Sequence, residues 1–592
     1  MKSLLFKLNI PIKLLAASIL TSIGLASLTL GEFTKDFPKF KRAVLAGITP
    51  NESFYFTRIF SKETPTFSAE NSYVGIKNLE TLSNDSFSVP EILQRSAYII
   101  FGGSIYENYI FFSFLYLSIL IFAYSVFIKG SQKQNVPQLL LMQGLALMSL
   151  LLILGNHGVT STNYRFSRLV NPQFSILLWL LGLLLVSHLI RRVEQGRSVS
   201  SVVVFGALLT LISQHSYFFV FLSLIVTYFM TAIYLFLKNE RKDSLVIATI
   251  WMIILLQWFT AFQFKQAQDG FLDTADRMGF LKSHFPGAIE TVLLSLVSIG
   301  LASFQQMFNS RRKEGTDFSS QLTAVNISSL SLIIASNSNV ITGKSIQFSD
   351  HFEIFAYLNL GLCISLLIWK VLINFRYKFL MLSVIFSIIF IPQMPSLANI
   401  YVSKDSRALD QKLSSINFSK VNVREVAVES PSHADLIPVY APVSVLFDTR
   451  IVSYAFRDNE LLLRYFVSRG CPENLSAHDL LFVYPYNLAP YYEKQERILQ
   501  FLSWIRLNRY SDLFVADLSR ELNQRIKEMH GEVIKLYARY GDESCLDLAR
   551  SSGVKGIIFD GSGNWVNIVN EENISSISIG WPGLEYFSIP NK

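Results

Sequence analysis

The residues with the most potential for chemistry lie together in one polar stretch, NSNVITGKSIQFSDHFE, from Asn337 to Glu353. It places Lys344, Asp350 and His351 between two long apolar runs. Lysine and histidine can bind a phosphate, and aspartate can bind a sugar hydroxyl or a metal ion. The alternative is a solvated connector in which Asp350 caps the helix that follows.

A second polar stretch, residues 156–173, contains His157, Arg165 and Arg168. Two arginines three residues apart share one face of a helix, and their planar guanidinium groups match the geometry of a phosphate. The alternative is that these side chains reach lipid headgroups at the membrane interface. We favour phosphate binding.

Carboxylates form the third group. Glu52, in the run NESFYFTRI, and Asp36 lie in a long polar segment that follows the first apolar run, and Glu32 is a rival to both. A carboxylate near a bilayer edge is partly desolvated, which raises its pKa and suits it to act as a general base. Three further acids at 269, 273 and 276 allow a divalent cation without requiring one, so the need for a cofactor stays open.

The elements that must position these residues are membrane helices. Of the 592 residues, 51% are hydrophobic and only 16% are charged, whereas a soluble domain has about 25% charged residues. The sequence predicts about eleven spans, each near the ~20 residues that cross a bilayer. The first lies within residues 1–31, and the others have cores at 108–128, 137–155, 173–190, 199–213, 217–237, 244–262, 287–307, 320–336, 353–373 and 379–395.

Basic residues predict the orientation of these spans. Six clusters of Lys and Arg, beginning with the N-terminal lysines, fall in alternating connections, which the positive-inside rule assigns to the cytoplasm. Lys35, Lys39, Lys41 and Arg42 disagree, but they lie in a long loop where the rule is weaker. Because the spans have no charged residue near their centres, a proton- or sodium-coupled transporter is disfavoured.

The chain therefore divides into a transmembrane domain, 1–395, with a long first outer loop at 32–107, and an extracytoplasmic tail, 396–592. The tail mixes strand-like runs such as VREVAVES and GVKGIIFDG with helical periodicity, which predicts an α/β domain. Cys471 and Cys545 both lie in the tail and could form one disulfide in an oxidising compartment.

This layout resembles the GT-C superfamily of membrane glycosyltransferases, which have many spans, a long first outer loop and often an extracytoplasmic α/β tail. The run NESFYFTRI is similar to the acidic motif of their first outer loop, with Glu52 in the acidic position and Asn51 where an aspartate is expected. The resemblance implies transfer of a sugar from a polyprenyl-phosphate donor outside a bacterial inner membrane, with a lipid-linked substrate and no nucleic acid as partner.

The resemblance also implies roles. Glu52 or Asp36 would take a proton from the acceptor hydroxyl, and Arg165, Arg168, Lys344 or His351 would stabilise the departing lipid phosphate. Two other functions stay open. One is a polysaccharide polymerase or ligase, which would use outer arginines equally well, and the other is a non-enzymatic membrane protein whose tail binds a ligand or partner.

Overall fold

The computed structural model describes residues 89–101, 105–129, 174–266, 289–312, 316–338 and 349–372. In the tail it describes residues 425–434, 443–447, 458–472, 544–560, 563–579 and 584–589, and it adds isolated positions elsewhere in the chain. The first part consists of helices, and the second is a small α/β region.

Within the described residues of the first part there are nine α-helices: α1 Val89–Phe101, α2 Ile105–Lys129, α3 Phe174–Glu194, α4 Ser200–Gln214, α5 Phe218–Leu237, α6 Arg241–Gln266, α7 Ile289–Arg312, α8 Thr316–Ser336 and α9 Glu353–Leu372. A 3₁₀ helix, Ser349–Phe352, directly precedes α9. Helices α3 and α5 to α9 are long and apolar enough to cross a membrane. Their bounds match six of the predicted spans to within a few residues.

Helix α4 corresponds to the predicted span 199–213 but has only 15 residues. At 1.5 Å per residue it is about 22 Å long, less than the ~30 Å hydrocarbon core of a bilayer. It is joined to α5 by the short turn that follows Gln214, so α4 and α5 form a helical hairpin. The predicted spans within 1–31, at 137–155 and at 379–395 lie almost wholly outside the described residues.

Helix α8 occupies the middle of the bundle, where it packs against α3, α5, α7 and α9. Its serines are small enough to let neighbouring helices approach closely, and Ser328, Ser329 and Ser331 are fully buried. Asn359 of α9 donates from Nδ2 to the hydroxyls of Ser328 (3.0 Å) and Ser329 (3.1 Å). This pairing satisfies a polar side chain that would otherwise be costly to bury.

Contacts between helices show which helix ends lie together at one end of the bundle. Tyr234, near the end of α5, lies close to Thr323 near the start of α8 and within electrostatic reach of Glu194 at the end of α3. Lys370 of α9 lies 5.4 Å from the ring centre of Phe318 in α8. This end, which we call the basic end, collects most of the Lys and Arg residues of the described helices: Arg191 and Arg192 of α3, Lys238 after α5, Arg241 and Lys242 of α6, Arg311 and Arg312 of α7, and Lys370 of α9. The 3₁₀ helix lies at the opposite end.

The tail region contains a five-stranded sheet in the order β2-β1-β3-β5-β4, where β1 is Glu425–Val428, β2 Ser444–Val445, β3 Gly556–Phe559, β4 Ile577–Ser578 and β5 Glu585–Ser588. Strand β1 is parallel to both β2 and β3, and β5 is antiparallel to β3 and β4. Helices α11 Asp458–Ser468, α12 Cys545–Ser551 and α13 Asn564–Glu571 accompany the sheet, and a single helical turn, α10 Pro431–Ala434, follows β1. Strands β1 to β4 coincide with strand-like runs predicted from sequence.

Candidate functional site at the end of the bundle opposite the basic end

His351 lies at the centre of a polar and aromatic group at the end of the bundle opposite the basic end. Its ring stacks on Tyr217, with ring centres 5.6 Å apart, and its Nδ1 shares a hydrogen bond with the Tyr217 hydroxyl. Phe219 packs 4.8 Å from His351 and 5.2 Å from Phe352, so aromatic rings fix the imidazole on a second side. If the hydroxyl donates to Nδ1, the neutral imidazole carries its proton on Nε2, and an imidazole N–H is a donor of the kind that binds a phosphate oxygen.

Glu353 supplies a carboxylate two residues from His351. It is the first residue of α9 and is only 8% exposed. Tyr357, one turn along α9, hydrogen-bonds Glu353 and lies within electrostatic reach of Glu290 at the start of α7. A buried carboxylate that interacts with a tyrosine hydroxyl is a candidate general base.

The 3₁₀ helix brings these groups together because it contacts α5, α7, α8 and α9 at once. Tyr217 immediately precedes α5, and Glu290 belongs to the first turn of α7. One short element therefore joins an imidazole, a phenol and two carboxylates from three different parts of the chain. This end of the bundle has the group types that proton transfer and anion binding require.

Helix α1 adds a cationic side chain at the same end. The backbone N–H of Val89 donates to the carbonyl of His215 (2.9 Å) in the α4–α5 turn. Glu91, Gln94 and Arg95 are buried on the inner face of α1. Gln94 reaches Tyr116 of α2, which in turn packs against Phe174 at the start of α3.

The structure describes the side chain of one predicted site residue, His351. Asp350 lies beside it in the backbone of the 3₁₀ helix. The other predicted residues, Glu52, Asp36, His157, Arg165, Arg168 and Lys344, lie outside the described residues. Their assignment to a site therefore stays a prediction.

Several residues at this end of the bundle were not predicted from the sequence as site residues. Tyr217 and Arg95 are far from His351 in the chain, and nothing in their spacing relates them to it. A signal existed for α1, because Glu91, Gln94 and Arg95 recur at helical spacing in VPEILQRSAYIIFGG, a pattern that indicates one polar face. Glu353 was part of the polar stretch 337–353 that the sequence singled out, but its burial depends on the neighbouring helices.

A second polar group lies in the tail, at the carboxyl ends of the parallel strands β1 and β3. Glu429 follows β1, is 1% exposed, and accepts a hydrogen bond at Oε1 from the backbone N–H of Trp565 (3.2 Å) in the first turn of α13. Its other oxygen, Oε2, has no hydrogen-bond partner among the described residues. Arg469 donates to the Glu429 backbone carbonyl (2.9 Å).

Burial raises the pKa of the Glu429 carboxyl above its usual range. The Trp565 N–H lowers the pKa of this carboxyl, because it donates a hydrogen bond to the ionised form. The nearby Asp560 carboxylate raises the pKa, and the Arg469 guanidinium lowers it. Helix α13 has Gly563 as its N-cap, which offers no side chain to cap the first turn. Glu429 therefore substitutes as the cap, and we interpret it as a structural residue.

Among the described residues, no group of three or more His, Cys, Asp or Glu side chains could hold a metal ion. The acids at 269, 273 and 276 lie outside that part of the chain. Comparison with known proteins finds no family model and no curated sequence that matches this chain. The case for function therefore depends on the residues themselves.

Proposed function

We propose that this protein is a membrane glycosyltransferase of the GT-C kind. It moves a sugar from a polyprenyl-phosphate donor to an acceptor hydroxyl at the outer face of a bacterial inner membrane. The proposal includes eleven spans, a cytoplasmic N-terminus and an extracytoplasmic tail. The observation that carries it is the group at the end of the bundle opposite the basic end, where His351, Tyr217 and the buried Glu353 meet.

Two features support the orientation. Most basic residues of the described helices lie at the other end of the bundle, as the positive-inside rule requires of the cytoplasmic end. The tail contains a disulfide between Cys471 and Cys545, and such bonds persist in oxidising compartments outside the cytoplasm. The first feature favours a location of the His351 group on the side where lipid-linked sugars are consumed, and the second favours an extracytoplasmic tail.

The proposed reaction is a single displacement. A carboxylate takes the proton of the acceptor hydroxyl while the hydroxyl oxygen attacks the anomeric carbon. The bond between that carbon and the phosphate oxygen breaks, and polyprenyl phosphate leaves as a stable anion. Glu353 joins Glu52 and Asp36 as a candidate base, and His351, Lys344, Arg165 and Arg168 are candidates to stabilise the leaving phosphate, with Asp350 and His157 binding substrate.

A transfer assay tests this proposal. The purified protein in lipid vesicles is given a panel of polyprenyl-phosphate hexoses and amino sugars with membrane extract as acceptor, and released polyprenyl phosphate is measured. We expect one of Glu353→Gln, Glu52→Gln and Asp36→Asn to lower the rate at least ~100-fold, the usual contribution of a general base. The control, Asp243→Asn at the basic end, retains the rate.

Two outcomes would contradict the proposal. The first is that the wild-type protein releases no polyprenyl phosphate from any donor. The second is release that all three carboxylate variants leave unchanged, which would remove the general base from the mechanism.

A further inference from the structure

Helix α1 has its polar and apolar faces reversed relative to a helix on a soluble protein. Its large apolar side chains point outward, and Ile99, Ile100 and Phe101 are 57%, 71% and 81% exposed. Its polar side chains point inward, and Gln94 and Arg95 are only 1% and 2% exposed. Water does not favour this arrangement, but a bilayer does, because the apolar face then has a nonpolar surrounding.

The attachment of α1 places it at the rim of the bundle. Its first residue is hydrogen-bonded to His215. This histidine lies one turn beyond Ile212, which is the last exposed apolar residue of α4. Helix α4 also exposes Phe205 and Leu208, so an apolar exposed surface leads up to this attachment. The N-terminus of α1 therefore lies where the apolar surface of α4 ends.

The other end of α1 meets apolar surface as well. Three residues separate Phe101 from the start of α2, which exposes Phe111 and Leu115. With 13 residues α1 is about 20 Å long, too short to cross a ~30 Å hydrocarbon core. Helix α1 therefore cannot cross the membrane by itself.

We propose that α1 is an interfacial helix whose exposed face is immersed in the leaflet at the His215 end of the bundle. The occupant of this face is membrane lipid, since its apolar surface continues at both ends into the exposed apolar surfaces of α2 and α4. The inward face then keeps Gln94 and Arg95 at headgroup depth, screened from the acyl chains. This inference concerns the membrane and holds whether or not the protein transfers sugars.

Site-directed spin labelling tests the proposal in the full-length protein. The chain suits the method because Cys471 and Cys545 are paired and Cys363 is buried, so Cys363→Ala leaves no free cysteine among the described residues. A nitroxide is attached to Ile100→Cys in lipid nanodiscs, and its collisions with oxygen and with a water-soluble nickel chelate are compared. Leu330→Cys on α8 is the lipid reference, and Glu240→Cys between α5 and α6 is the aqueous one.

We expect the Ile100 label to collide more often with oxygen than with the nickel chelate, at a depth between the two references. A nickel accessibility equal to that of the Glu240 label would place this face in water and overturn the proposal. Low accessibility to both reagents would also overturn it, because a protein surface, such as a second copy of this chain, would then cover α1.

Discussion

At the scale of single residues, the tail shows how a buried charge can replace a missing helix cap. Gly563 has no side chain to cap α13, and a Cβ at this position would overlap the Glu429 carboxylate. The glycine and the glutamate therefore depend on each other. Glu429 caps the helix through Trp565 but keeps one buried oxygen without a described partner, and this burial is the origin of its raised pKa.

The raised pKa of Glu429 predicts how the stability of the tail depends on pH. An acid whose pKa is higher in the folded than in the unfolded state stabilises the fold below its unfolded pKa, and this contribution is lost as pH rises through the folded pKa. We expect the wild-type tail to become more stable relative to Glu429→Gln as pH falls from 7 towards 5. Hydrogen exchange of the β1 and β3 amides in the full chain, corrected for intrinsic rates, measures the difference.

The matched control for this measurement is Glu425→Gln, at the start of β1, where the carboxylate is partly exposed and pairs with Lys555 at 3.1 Å. An exposed pair of this kind contributes little to stability. If the difference between wild type and Glu429→Gln stays constant across this pH range, Glu429 is not the titrating group.

His351 illustrates what residue-scale prediction from sequence can and cannot achieve. Its polar stretch stood out between two apolar runs, so its place at the end of a bundle could be predicted. Its partner Tyr217 could not, because the two are 134 residues apart and only the packing of α5 beside the 3₁₀ helix brings them together. Contacts between distant segments depend on helix packing, which span prediction alone does not define.

At the scale of elements, the disulfide between Cys471 and Cys545 links the end of α11 to the start of α12. The strands and helices on either side are short, and β2 and β4 have two residues each. Small sheets of this kind bury little apolar surface by themselves, so a covalent link between their helices adds a large share of their stability.

Replacing both cysteines by serine should destabilise the tail. For a chain separation of 74 residues, the chain-entropy model gives about 4 kcal/mol. We expect faster hydrogen exchange in β3 and α12 of the full-length double variant, with the amides of α3 in the bundle unchanged as an internal reference. Equal exchange rates in variant and wild type would show that the sheet does not depend on the disulfide.

Elements were predictable to different degrees. Spans such as α3, α5 and α9 were found because a run of about 20 apolar residues is typical of a helix that crosses a membrane. Strands β1 and β3 were found because Val and Ile runs are bounded by turn residues. Strand β5, Glu585–Ser588, was missed because its antiparallel pairing with β3 gives a short half-apolar segment its strand conformation.

At the scale of the whole molecule, the described bundle has two chemically different ends. Most arginines and lysines of the described helices lie at the basic end, and His351, Glu353 and Glu290 lie at the other, together with one buried arginine, Arg95. The apolar lengths of helix between them contain buried serines and Asn359 but, among the described residues, no buried charge near their centres. This division is consistent with the proposed enzyme, which would bind a lipid carrier from the membrane and react at the membrane surface.

The most direct test of the account is binding of polyprenyl phosphate to the purified protein, with polyprenol as the competitor that lacks the phosphate. We expect saturable binding that polyprenol does not displace, weakened at least ~10-fold by Arg165→Ala with Arg168→Ala, since each charge-assisted hydrogen bond contributes about 1.5 kcal/mol or more. Arg311→Ala with Arg312→Ala, at the basic end of α7, is the matched control and should bind as wild type does. Two results would contradict a lipid-phosphate site in the 156–173 stretch. The first is that polyprenol displaces bound polyprenyl phosphate as well as polyprenyl phosphate itself does. The second is that both double variants bind polyprenyl phosphate as tightly as the wild type does.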